Sequence, residues 1–306
     1  MHKSLISIRD FSKEEILHIL SVAREMEATG SQKLLDGKVV ACLFFEPSTR
    51  TRMSFEAAMY ELGGHVISMT DPATSSVSKG ETVGDTVQVV SNYADIIAQR
   101  HPKDGAAYAA IRKARIPVIN AGDGMHAHPT QTLADLLTIY REKGRFNGLT
   151  VGMCGDLKYG RTVHSLVGAL SRYSDIRFVF ISPEELKMPA YVTDTLDRQN
   201  LPYEVTTSLE SAIGSLDILY MTRIQKERFD SPAEYERLKN SYILDMAKLS
   251  LARPDCSVLH PLPRVNEIAV EVDDDPRACY FKQVLNGKYM RMALMLMLLR
   301  DAGRIV

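Results

Sequence analysis

Short unbroken apolar runs alternate along this chain with stretches in which apolar residues recur every three or four positions. The first run, Val39–Phe45, is long enough for a strand buried on both faces. Behind it, Phe55, Ala58, Met59 and Leu62 fall at helical spacing. Ahead of it, Ser12 and Glu15 form a capping-box pattern, followed by Ile16, Ile19, Leu20, Ala23 and Met26 on one helical stripe. Further strands are expected at His65–Met69, from Ile96 to His101, and at Val118–Asn120. Helices are expected around Val83–Val90, over Ala106–Lys113 and from Pro129 through Tyr140. The polar stretch Thr70–Thr82, with Pro72, Gly80 and a single Lys79, reads as a mobile loop.

The alternation restarts after Gly144–Gly148, which is the best domain boundary in the sequence. Strands are expected at Leu149–Cys154, Phe178–Ile181, Tyr203–Val205, Ile218–Met221 and Ser257–Leu259. Helices are expected at Thr162–Arg172, Tyr191–Gln199 and Ala233–Asn240, with a core-facing terminal helix at Met290–Leu299. Strands alternating with helices at this spacing imply an α/β fold of two doubly wound parallel-sheet domains. The expected division is 1–143, with 287–306 returning to it, and 144–286. A chain of 306 residues is long enough for two such domains.

Composition narrows the function classes. Apolar content of 45% and charged content of 25% are those of a soluble globular protein. A net charge of −1 gives no general attraction to nucleic acid or to an anionic membrane, so useful positive charge must be local. The four cysteines, Cys42, Cys154, Cys256 and Cys279, lie far apart and form no Cys-x-x-Cys pair. Neither a zinc site nor a disulfide framework is indicated. The N-terminus lacks a signal-peptide pattern, and Met290–Leu299 is too short to span a bilayer. The expectation is a soluble cytoplasmic protein.

Local charge is concentrated in one place. Between the first strand and its helix lies Glu46-Pro47-Ser48-Thr49-Arg50-Thr51-Arg52. Ser48 is a suitable N-cap, and the helix N-terminus offers unsatisfied N–H groups and the positive end of the dipole. Two Arg residues in a first turn oppose that dipole unless an anion sits there. With three hydroxyls and two guanidinium groups, the turn reads as a phosphate cradle. Arg52 could instead be structural, pairing with an acid such as Glu46. In doubly wound folds ligands bind beyond the carboxyl ends of the strands. Arg100 and His101, then His126, His128 and Gln131, follow expected strands of the first half. Arg161, then Arg223 and Gln225, then His260-Pro261-Leu262-Pro263, do the same in the second. His126 and His128 lack the acidic or Cys companions of a metal site, and Gly152-x-x-Gly155 is not a dinucleotide turn. No metal or cofactor is expected. His164 reads as helix packing and His101 as a residue that stiffens its loop.

Together these segments carry a resemblance. Ser48-Thr49-Arg50-Thr51, Arg100-His101-Pro102, His128-Pro129-Thr130-Gln131 and His260-Pro261-Leu262-Pro263-Arg264 resemble the carbamoyltransferases. The runs Asp156–His164 and Met221–Arg228 are similar, more narrowly, to the members that use aspartate. The similarity extends over essentially the whole chain, with the motifs in the same order. It implies transfer of a carbamoyl group from carbamoyl phosphate to L-aspartate, giving N-carbamoyl-L-aspartate and phosphate, the committed step of pyrimidine biosynthesis. By matching positions, Ser48, Thr49, Arg50, Thr51 and Arg100 would hold the phosphate. His128 and Gln131, with the backbone of Leu262 and Pro263, would hold the carbamoyl end, and Arg161, Arg223 and Gln225 would bind aspartate. Ser75 and Lys79 would be supplied to a neighbouring subunit's site in a catalytic homotrimer, Ser75 to carbamoyl phosphate and Lys79 to aspartate. Arg50, Thr51, Lys79, Arg100 and His128 are the implied catalytic set. An assembly of two trimers with separate regulatory chains is an option that the resemblance leaves open.

The chemistry asks for such residues. A neutral amine attacks the carbamoyl carbon, negative charge builds on its oxygen, and phosphate leaves; fixed positive charge and donors stabilise that transition state. The departing phosphate can take the amine's proton, so no protein base is assigned. Two arginines suit the two carboxylates of aspartate, whereas ornithine would need an acid. Ornithine-specific relatives carry Cys where this chain has Pro261, and a Ser-Met-Gly loop that it lacks. A carbamoyltransferase for another amino acceptor and a non-catalytic assembly paralogue are the competing readings. Closure of the two domains on binding is a further expectation.

Overall fold

The computed structural model describes residues 3–30, 33–71, 75–225, 229 and 231–305. The chain divides into two compact units, 1–134 with 285–306, and 135–284. Each is an α/β layer structure around one parallel sheet.

In the first unit the elements run α1 (Lys13–Thr29), β1 (Val39–Phe44), α2 (Thr49–Glu61), β2 (His65–Met69), α3 (Val83–Val90), β3 (Ile96–His101), α4 (Ala106–Ile111) and β4 (Val118–Asp123). The strands pair in the order β2-β1-β3-β4, all parallel. Strand β1 lies in the interior of this sheet and is buried from Val40 onward, as its unbroken apolar run requires. One face of the sheet presents Ala41, Leu43 and Ile97 to Val87 of α3 and to Ala107 and Ala110 of α4. The capping box at Ser12 and Glu15 is made in both directions and starts α1.

The N-terminal segment is pinned to the far edge of the sheet. Leu5 N–H donates to Val118 O, and Asn120 N–H donates back to Leu5 O. Asn120, fully buried, uses its amide nitrogen to reach Ile6 O at 2.9 Å and Asp123 Oδ1 at 2.8 Å. Its oxygen accepts from Gly122 N–H. Asp123, itself buried, also accepts from Gly105 and Ala127 N–H groups. One carboxylate thus organises the loop after β4.

Helix α5 (Pro129–Lys143) carries the chain out of the first unit, which divides from the second at 134/135. The second unit holds β5 (Thr150–Cys154), α6 (Arg161–Leu170), β6 (Arg177–Ile181), α7 (Ala190–Arg198), β7 (Tyr203–Thr206), α8 (Leu209–Ala212), β8 (Ile218–Met221), α9 (Pro232–Leu238), α10 (Met246–Leu249) and β9 (Ser257–Leu259). Its strands order β7-β6-β5-β8-β9, again all parallel. Below the sheet, Cys154, Ile181, Leu219 and Val258 pack with Leu216 and Leu244 in one apolar cluster.

The last helix, α11 (Tyr280–Asp301), begins ten residues before the apolar run that marks it in the sequence. Lys282, Gln283, Asn286, Gly287 and Lys288 dilute the apolar pattern in its first half. From Leu285 onward it belongs to the first unit. There Arg291, buried, lies 5.2 Å over the Phe55 ring, and Lys288 pairs with Glu61. The arginine that interrupts the apolar run is therefore a core residue satisfied partly by an aromatic face.

Histidine packing here sets a pH dependence. His164 Nε2 donates to Leu157 O at 2.6 Å while Nδ1 accepts from Tyr191 hydroxyl at 2.7 Å. His101 Nδ1 accepts from Lys103 N–H at 3.0 Å, which ties down the turn after β3. Burial lowers the pKa of both below the usual 6.5. Below that value the unfolded chain therefore binds more protons than the folded one, and stability is lost as pH falls toward the depressed folded values. The melting temperature is expected to drop between about pH 7.5 and 5.5, with a shallower slope in His164→Gln, as followed by circular dichroism. Asn120→Ala is expected to cost about 2–3 kcal/mol in urea unfolding, because it strips partners from Ile6 O, Gly122 N–H and the buried Asp123.

Candidate active site

The order of strands decides where a site can form. In the first unit the chain leaves β1 toward β2 on one side and later returns to place β3 on the other. The loops after β1 and β3 therefore diverge from adjacent carboxyl ends, leaving a crevice at the reversal. In the second unit the same reversal occurs between β5 and β8. Ser48, Thr49, Arg50, Thr51 and Arg100 follow the strands at the first reversal, and Arg161, Arg223 and Gln225 those at the second; the other sequence-predicted residues follow β2, β4 and β9.

In the first unit, α2 opens directly after β1 with Ser48 at the N-cap in extended conformation. The Ser48 hydroxyl makes no capping bond, which departs from its expected role as the helix cap. Thr49 and Arg50 are exposed, Thr51 is buried, and no acid occupies the first turn. Backbone N–H groups, hydroxyls and a guanidinium so gather at the positive end of a 13-residue helix. Arg52 does not pair with Glu46. It reaches along its own helix to Glu56 at 3.2 Å, and Glu56 also accepts from Ser68. An i,i+4 partner on the same helix surface is nearer than one on the preceding loop.

Glu46 instead engages Arg100. Phe44 and Arg100 are register partners on β1 and β3, so the Arg100 side chain emerges beside the cradle loop. Its Nε lies 2.7 Å from Glu46 Oε1. Burial lowers the Arg100 pKa and the neighbouring Glu46 carboxylate opposes that shift. The guanidinium is charged, oriented and only partly solvated. His128, buried, places Nε2 3.5 Å from Arg100 Nη1, and Thr130 Oγ1 lies 3.3 Å from its Nδ1. Gln131 sits in the first turn of α5, its N–H donating to His128 O. The structure thus brings Arg100, Glu46 and His128 together beside the α2 N-terminus. Ser75 and Lys79 lie on a separate loop: Ser75 caps a 3-10 helix, Ser76–Lys79, and Lys79 is exposed. Residues 72–74 of the expected mobile loop lie outside the described residues.

In the second unit, Arg161 is the first residue of α6, at the end of the loop after β5. Arg223 and Gln225 follow β8, both half-buried; Lys226, Glu227 and Arg228 of the same motif lie outside the described residues. What joins the two loops is Asp156, a residue that carries no role in the sequence reading. It is fully buried and its carboxylate accepts from Tyr159 N–H at 2.9 Å. Gln225 donates its amide to Tyr159 O at 3.5 Å. Burial raises the Asp156 pKa, and donors from Tyr159 and Gln225 counter it. Thr222 joins them as well: its hydroxyl accepts from Asp156 N–H, and its own N–H donates to Cys154 O. Gly155, at φ +120°, leaves no room for a side chain, since a Cβ would lie 2.3 Å from Thr222 O. The signal for Asp156 in the sequence was its place directly after an apolar strand, next to a glycine.

Leu262 and Pro263 follow β9, joined by a cis peptide, with Leu262 at φ 54°. Each unit thus presents its own polar set at the carboxyl edge of its sheet: an anion cradle with a guanidinium and an imidazole in the first, two guanidiniums with a glutamine amide in the second. These are the requirements of an anionic group-transfer reagent and of a dicarboxylate acceptor respectively.

Comparison with known proteins agrees with this division. Residues 3–141 match the family model for the aspartate/ornithine carbamoyltransferase carbamoyl-P binding domain, and residues 147–298 match that for the Asp/Orn binding domain. An aspartate carbamoyltransferase catalytic subunit of Clostridium novyi (strain NT) is 56% identical over 294 residues, covering 95% of this chain and 96% of that one. Its counterpart in Finegoldia magna is 56% identical over 300 residues, covering 97% and 98%. Among solved structures, the catalytic subunit of M. jannaschii aspartate transcarbamoylase superposes with a TM-score of 0.92 at 50% identity, covering 98% of this chain and 99% of that one. Aspartate transcarbamoylase from Trypanosoma cruzi, solved with carbamoyl phosphate and aspartate, gives 0.90 at 39% identity, with 96% of each chain covered. With a family model matched in each half and relatives this similar over nearly its full length, the chain belongs to the aspartate/ornithine carbamoyltransferase family.

Proposed function

We propose that this chain catalyses transfer of the carbamoyl group of carbamoyl phosphate to the amino group of L-aspartate, releasing N-carbamoyl-L-aspartate and phosphate. The observation that carries this reading is the pair of arginines, Arg161 and Arg223, on the loops that diverge at the β5/β8 reversal. Paired cations suit an acceptor with two carboxylates and repel one with a second amine. Relatives named as aspartate carbamoyltransferase catalytic subunits, similar over almost the whole chain, support the same acceptor.

In this reading Ser48, Thr49, Arg50 and Thr51 hold the phosphate at the α2 N-terminus, joined by Arg100. The Glu46 partner keeps the Arg100 guanidinium extended on its side of the loop, and a bound phosphate would compete with that carboxylate for it. His128 and Gln131 take the carbamoyl group, with acceptors from the Leu262 and Pro263 backbone. Thr51, Arg100 and His128 face the oxygen on which charge develops, where fixed donors stabilise the transition state over the ground state. Proton transfer from the attacking amine goes to the leaving phosphate. Arg161, Arg223 and Gln225 bind aspartate, with Asp156 holding their two loops in register.

We further propose that the enzyme works as a cytoplasmic homotrimer in which Ser75 and Lys79 reach a neighbouring subunit's site. Their place on a loop of their own, with Lys79 exposed, is what supports this sharing. Among the described residues, no helix is long and apolar enough to cross a membrane.

Product formation from carbamoyl phosphate is expected with aspartate and not with ornithine, measured in parallel; turnover of ornithine in place of aspartate would overturn the acceptor assignment. Arg50→Ala is expected to lower kcat by about 10²–10³-fold while the melting temperature stays within a few degrees of the wild type's. Arg223→Ala is expected to raise the aspartate KM by at least about tenfold, with a smaller change in the KM for carbamoyl phosphate.

A further inference from the structure

The segment that carries Leu262 is held by a buried polar chain that the proposed chemistry does not itself use. Its centre is His260, 1% exposed, at the end of β9. Three directed bonds fix it. Its backbone N–H donates to Gln283 Oε1 at 3.0 Å. Its ring Nε2 lies 2.7 Å from Glu267 Oε1, and its ring Nδ1 accepts from Leu262 N–H at 2.7 Å. A backbone N–H can only donate, so Nδ1 must carry the lone pair and Nε2 the proton given to Glu267.

Both partners are themselves held. Glu267, 4% exposed, uses its second oxygen to accept from Val265 and Asn266 N–H groups, which closes the loop back on itself. Gln283 donates its amide nitrogen to Asp135 Oδ1 at 2.6 Å, and Tyr220 hydroxyl donates to Asp135 Oδ2 at 3.0 Å. Burial lowers the His260 pKa, with Glu267 opposing and Arg264 and Arg223 reinforcing the shift. Burial alone would raise the Glu267 pKa, but the His260 ring and nearby N–H donors outweigh it and bring it down. A neutral imidazole beside a carboxylate is the arrangement in which Nδ1 stays an acceptor.

The object of this chain is Leu262, a branched residue in the left-handed region at φ 54°. Such a conformation persists only where its surroundings over-determine it. The Nδ1 bond to its N–H fixes the plane of the Pro261–Leu262 peptide, from which the Leu262 backbone turns at φ 54°. We propose that His260, oriented by Glu267 and Gln283, is a positioning residue that fixes the Leu262 backbone for the carbamoyl group. This rests on the assignment of the Leu262 and Pro263 backbone to carbamoyl phosphate made above.

Steady-state kinetics of the full chain with carbamoyl phosphate and aspartate test it through two substitutions. In His260→Gln the side-chain amide reaches the Nε2 position and keeps a donor for Glu267, but nothing replaces the Nδ1 acceptor. In His260→Asn the side-chain oxygen falls near the Nδ1 position and can accept from the N–H two residues on, as in an Asx turn. For His260→Gln, kcat/KM for carbamoyl phosphate is expected to fall about tenfold with the aspartate KM near wild type, in a protein that stays folded with its melting temperature lowered by a few degrees. His260→Asn is expected to recover most of that loss. An unaltered kcat/KM in His260→Gln, or equal losses in both variants, would overturn the inference while leaving the activity intact. A wild type that makes no product from carbamoyl phosphate and aspartate would overturn the activity reading and the inference with it.

Discussion

Parallel pairing is the constraint on which everything else in this protein depends. Strands that all run one way must be joined by crossovers, and every carboxyl end then lies on a single edge of its sheet. Where the order of strands reverses, two neighbouring loops turn away from each other and leave a space that no side chain of the sheet fills. Both sheets have one such point, between β1 and β3 and between β5 and β8. The first is flanked by a helix N-terminus and Arg100, the second by Arg161, Arg223 and Gln225.

Buried carboxylates make these loops definite. Asp123 gathers N–H groups from Gly105 and Ala127 and the amide of Asn120, which ties the loop leading to His128 back on itself. Asp156 does the corresponding work between the loops of Arg161 and Gln225, and Glu267 does so for the segment of Leu262. A buried carboxylate is costly unless several donors converge on it. That cost is why each one specifies its loop closely, since any other conformation would leave it unpaired. The arginines on these loops can then remain partly exposed without losing their placement.

Arg100 illustrates the balance. In the proposed reaction its charge serves the phosphate, yet a guanidinium emerging from a central strand needs a partner of its own. Glu46, two residues before Ser48, is that partner at 2.7 Å. The pairing holds the group ready and at the same time sets a competitor for the anion. Arg52, assigned to the cradle or to Glu46 by its position in the sequence, is drawn to Glu56 by simple helix geometry.

The sequence by itself determined the strands and the longer helices, because apolar periodicity follows directly from which faces must be buried: β1, β2, α3 and β8 stand where their patterns place them, whereas the one-turn helices α8 and α10 are too short to show a period. Its polar motifs follow expected strand ends, and parallel sheets put those strand ends on one edge of each sheet. The start of α11 at Tyr280 escaped it, since Gln283, Asn286 and Gly287 carry no apolar periodicity and are placed by tertiary contacts. Tertiary structure alone decided the partners of charged groups: Glu46 with Arg100 rather than Arg52, Asp156 with the loops of Arg161 and Gln225, His260 between Glu267 and Leu262. A hydrophobic pattern repeats every few residues and is legible locally. A hydrogen bond between residues far apart in the chain exists only once the sheet has set its strands side by side.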